Sequence, residues 1–70
     1  MSDGWTTMAV GDVRPGDLVR MPSGQEVLVS RVEANFFGTD TMVAFVEDTP
    51  ERWFKQPART GDNVEVRRSA

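Results

Sequence analysis

The side chains that most often do chemistry near neutral pH are missing from this 70-residue chain, which has no histidine and no cysteine. With them go the usual general base, the thiolate nucleophile and the ligands of structural zinc. Ser23 and Ser30 offer hydroxyls, but a Ser-Lys pair would need Lys55, the sole lysine, and no spacing sets it beside a serine. Asp12 and Asp17 flank Pro15-Gly16, while Glu47, Asp48 and Glu51 precede Trp53. These acids match no calcium-loop spacing and read as turn-capping, solvated carboxylates. No glycine-rich loop feeds a helix, so no phosphate cradle is expected. The expectation is a chain that is not an enzyme and carries no cofactor and no metal.

What remains is aromatic and cationic. The segment Glu51-Arg52-Trp53-Phe54-Lys55-Gln56-Pro57 sets adjacent Trp and Phe between charges, and Phe36-Phe37 stands between turn formers. Aromatic and Arg side chains are enriched at protein interfaces, where they bury a large area with few rotors. Neighbours on a strand point to opposite faces, so Trp53 and Phe54 cannot both enter one core, nor can Phe36 and Phe37 unless the backbone turns. Trp5, alone in a polar N-terminal stretch, is expected to fold back over the domain or to meet a partner. The candidate partner-binding residues are therefore Trp53, Phe54, Phe36, Phe37, Trp5 and Arg52. Whether Trp53 is core or interface is left open by the sequence.

A formal net charge of −3, with acids interleaved among the arginines, disfavours nucleic acid as that partner. A nucleic-acid-binding barrel stands as the second reading, and self-association stays open. No run of apolar residues approaches the roughly 20 needed to cross a bilayer. Met1 to Gly4 also lacks the start of a signal peptide, so a cytoplasmic protein is expected, with no membrane partner.

The elements that must position these residues read as strands. Valine dominates the apolar set, favouring pleated sheet over helix. Residues 1–7 read as an N-terminal arm and residues 8–70 as one domain. Arg14-Pro15-Gly16-Asp17 and Pro22-Ser23-Gly24-Gln25 are Pro-led turns, with Gly16 and Gly24 expected at positive φ. Between and after them lie strands at Leu18 to Met21 and Glu26 to Glu33. The apolar side of the second strand switches, which calls for a bend or bulge near Ser30-Arg31. Thr41 to Glu47 is apolar on both faces and should be a central strand. Arg52 to Lys55 reads as a short strand or a helical turn, Gln56 to Asp62 as a loop, and Val64 and Val66 mark the last strand.

The run Val10 to Glu33, with its Gly-Asp turn, apolar strand, Gly turn and Val-rich return, resembles the opening of small SH3-like barrels of the KOW type. That resemblance covers about a third of the chain. It implies an all-β domain, a small five-stranded, strongly bent antiparallel SH3-like barrel. Seventy residues without a disulfide give a marginal core, and the surplus aromatics call for a partner. The sequence therefore points to a non-catalytic protein-protein interaction module, an accessory subunit of a larger protein assembly.

Overall fold

Valine-rich runs closed by Pro- or Gly-bearing turns leave the chain short strands and little else. The computed structural model describes residues 4–68 and places seven strands. They are β1 (Thr6–Ala9), β2 (Asp17–Arg20), β3 (Glu26–Leu28), β4 (Arg31–Glu33), β5 (Met42–Asp48), β6 (Trp53–Arg59) and β7 (Asn63–Arg68). One antiparallel sheet runs β1-β7-β2-β3, and a second runs β4-β5-β6.

The expected all-β class is observed, but the closed barrel of five strands is not: seven strands lie in two sheets. Two local causes add the extra strands, and a third lengthens one that was expected. Strand pairing begins at Thr6, so two residues of the expected arm belong to β1, while residues 1–3 of that arm lie outside the described residues. The single return strand expected over Glu26 to Glu33 is divided at Val29-Ser30 into β3 and β4, which join different sheets. Finally, Gln56 to Arg59, expected as loop, continues β6, because Pro57 sits on an edge strand where its missing N–H is not needed by the ladder to β5.

The break between β3 and β4 is a bulge at the expected place. The Ser30 N–H donates to the Val46 carbonyl at 2.7 Å, although Arg31 is the ladder partner of Val46, so two residues oppose one. Gly16 and Gly24 adopt φ of 95° and 94° in the two Pro-led turns. Reciprocal bonds of 3.0 and 3.2 Å between Thr49 and Arg52 close β5 and β6 around the two-residue turn Pro50-Glu51, so the segment is a hairpin and not a helical turn.

Between the sheets lies a core of Phe45 with Val10, Val19, Val27, Val29 and Val66, all nearly free of solvent. As expected, β5 is central in its sheet and apolar on both faces. Val43 and Phe45 face the core, whereas Ala44 and Val46 are fully buried on the opposite face. Leu28 is exposed, because its neighbours Val27 and Val29 take the inward positions. Among the described residues no helix is long and apolar enough to cross a membrane.

Candidate functional site

Directly opposed residues in a ladder share a face, so the register fixes what the outer side of the β4-β5-β6 sheet displays. Across it run the rows Arg31-Val46-Lys55 and Glu33-Ala44-Pro57, followed by Asp48 beside Trp53. Val46 and Ala44, at the centre of these rows, are fully buried between their flanking residues. Lys55 Nζ bonds Glu33 Oε1 at 2.8 Å, Arg31 Nε lies 3.6 Å from Glu33 Oε2, and Arg31 Nη1 meets Asp48 Oδ2 at 3.1 Å. The Lys55 hydrogen bond is the main cause that holds the Glu33 carboxyl below its ordinary value of 4.5. The positive charge of this face is largely met by its own carboxylates.

Aromatic rings extend the lattice. Lys55 Nζ sits 5.6 Å from the ring of Trp53 and 5.6 Å from that of Phe36, and Phe36 packs on Phe37 with centroids 4.3 Å apart. A band therefore runs Trp53, Lys55, Phe36, Phe37. Its ends are open, with Trp53 at 60% and Phe37 at 77% exposure. Phe37 also has φ of 57° and ψ of 24°, in the left-handed region that a bulky side chain rarely occupies. Asn35, at φ of 54°, enters the same turn at smaller strain, since Asn tolerates that conformation.

The six candidate residues do not form one site. Trp53, Phe36 and Phe37 meet through Lys55, whereas Phe54 turns inward and packs against the core. Arg52 joins a different device: its Nη2 donates at 2.7 Å both to Glu47 Oε1 and to the Glu26 carbonyl, and Glu47 Oε1 also accepts the Leu28 N–H at 3.0 Å. In the ladder to β2, the bonds of Val29 to Asp17 and Met21 to Gln25 leave Glu26 and Leu28 facing the open side of β3. The Glu47–Arg52 pair thus takes the place of a neighbouring strand there. The Arg52 hydrogen bond is the largest cause that holds the Glu47 carboxyl below its ordinary value, ahead of the opposing effect of burial. Trp5 lies elsewhere again, its ring 4.2 Å from the Arg20 guanidinium and 4.8 Å from that of Arg67, beside the four-stranded sheet.

Sequence reasoning missed Lys55 as part of the band and Glu33 as its ion-pair partner. The i, i+2 spacing of Trp53 and Lys55 was the available signal, as strand alternation puts them on one face. Two open clefts of about 340 and 240 Å³ flank the Met21-Pro22 corner, and Arg20 and Glu65, on the rim of the larger, are bonded to each other at 3.0 Å. Among the described residues no three acids converge as metal ligands. Searches of protein-family models, curated proteins and solved structures give no match to this chain.

Proposed function

We propose that the chain is a non-catalytic protein-protein interaction module, an accessory subunit of a larger assembly in the cytoplasm, and that it engages its partner through the band of Trp53, Lys55, Phe36 and Phe37. One observation carries this reading: two large aromatic side chains stand exposed at the ends of an otherwise charge-balanced sheet face. Exposed aromatics beside desolvatable neighbours are where binding energy concentrates at interfaces. The strained backbone at Phe37 supports the same reading, since such conformations gather at functional positions. Nucleic acid fits the face poorly, because Lys55 and Arg31 already pair with Glu33 and Asp48.

The test is capture of partners from the source cell by the immobilised chain, compared with Trp53→Ser and Phe37→Ser. The expected result is a protein complex that survives about 0.5 M salt, because apolar burial is not screened, and that both substitutions weaken. Retention of nucleic acid instead, lost with salt and untouched by the aromatic changes, would overturn it.

A further inference from the structure

The open edge of β6 carries information of its own. Thr49 with Arg52, and Thr60 with Thr41, are hydrogen-bonded pairs of the β5–β6 hairpin. Pair types alternate along an antiparallel ladder. Trp53, Lys55, Pro57 and Arg59 therefore direct their main-chain groups away from β5, toward the side of β6 where no strand follows. Pro57 has no N–H to offer, and its carbonyl is taken by Gln56 Nε2 at 3.0 Å. The Arg59 carbonyl accepts the Asp62 N–H at 3.1 Å. Only Trp53 and Lys55 keep both N–H and C=O available on this edge, with no main-chain partner among the described residues.

The other edges differ. The Glu47–Arg52 pair covers β3, and β4 is three residues long. The β1 edge turns Thr7 and Ala9 outward, without an exposed aromatic side chain at either position.

Two residues spaced i, i+2, with Phe54 between them, form a pattern symmetric about Phe54. Such an edge is its own complement. We infer that two copies of this chain pair antiparallel through β6 about a two-fold axis at Phe54, joining their three-stranded sheets into one continuous sheet. Trp53 of each copy then opposes Lys55 of the other in a hydrogen-bonded pair, and the two Phe54 residues oppose each other in the closer, non-hydrogen-bonded position. Each Trp53 ring gains a second ammonium neighbour on the outer face. In this register Pro57 falls opposite Glu51, already in the hairpin turn, so the proline stands where pairing has ended and costs nothing. An isologous interface of this kind closes at a dimer, whereas a longer open edge would invite filaments. The two bands become one aromatic face across the axis, and the pairing itself does not depend on the heterologous partner proposed above.

Size-exclusion chromatography with light scattering, from about 10 µM to about 1 mM, spans the range in which a small edge-to-edge interface shows itself. The inference requires a monomer-dimer equilibrium. Lys55→Pro removes the outward N–H at a position equivalent to the tolerated Pro57, and should weaken dimerisation by about ten-fold or more. Phe37→Ser should leave it unchanged while weakening partner capture, which separates failure of this inference from failure of the proposed function. Amide exchange on the unaltered chain guards against a misfolded variant: the Trp53 and Lys55 amides should slow as concentration rises, and the Thr7 amide should not. A monomer throughout, or a dimer in which the Trp53 and Lys55 amides exchange freely, would overturn the inference.

Discussion

Replacing Glu47 by Ala removes an acceptor on which two sheets depend. Glu47 is 8% exposed, and its carboxylate receives Arg52 at 2.7 Å and the Leu28 N–H at 3.0 Å, and so fixes the open side of β3 to β5. In the Ala variant the Leu28 N–H loses its partner, at a cost of about 1–3 kcal/mol for an unsatisfied group. Leu28 is 42% exposed, so water can reach the vacated site and the lower half of that range, about 1–2 kcal/mol, is expected. A domain of this size has only about 4–10 kcal/mol of stability, and each kcal/mol moves its melting temperature by about 4–8 °C. The loss is therefore visible in a thermal melt followed by circular dichroism. Glu47→Gln retains a carbonyl for Leu28 but not the charge facing Arg52, and should fall between wild type and Ala.

Acidity gives the sign a second check. The folded-state value for Glu47 lies below the ordinary 4.5, so its contribution is complete above that pH and is lost as pH falls through the lowered folded value. The advantage of wild type over Glu47→Gln should accordingly be full at neutral pH and shrink as the pH falls below the ordinary value of 4.5. Equal melting temperatures for all three proteins at neutral pH, or an advantage that grows on acidification, would refute the edge-lock account.

Gly24→Val should destabilise by about 1 kcal/mol or more, measured by urea titration, because φ of 94° excludes a β-branched residue although nothing lies near its Cβ. Phe45→Ala should cost about 3–5 kcal/mol, a large share of the domain's stability that a urea titration reads directly, since Phe45 is the largest fully buried side chain. Phe37→Asn should leave urea stability within about 0.5 kcal/mol of wild type, as relief of left-handed strain offsets the lost ring contact. The same variant should lose partner capture. A drop of several kcal/mol there would assign Phe37 a structural role.

Local chemistry made the turns legible in the sequence. Gly16 and Gly24 follow Pro closely, and Val29 with Val32 betrays a switch of apolar face that a bulge resolves. The strand count was not legible, because the fate of Ser30 depends on Val46, its acceptor sixteen residues on, and that of Pro57 on whether β6 lies at an edge. Alternation predicted that one member of each aromatic pair would emerge, and Trp53 and Phe37 do. It could not reveal that Lys55 links them, since Phe36 reaches the sheet from a separate turn through a tertiary contact. Arg52 reads as an interface residue because Arg is enriched at interfaces; the structure gives it Glu47 and the Glu26 carbonyl.

The interaction face is tested most directly by photocrosslinking in the source cell, with a photoreactive phenylalanine analogue at position 37 and, as control, at the exposed turn residue Ser23. The proposed function predicts a discrete protein adduct from position 37, undiminished at about 0.5 M salt, and none from position 23. Equal adducts from both positions, or a nucleic-acid adduct from position 37, would contradict it.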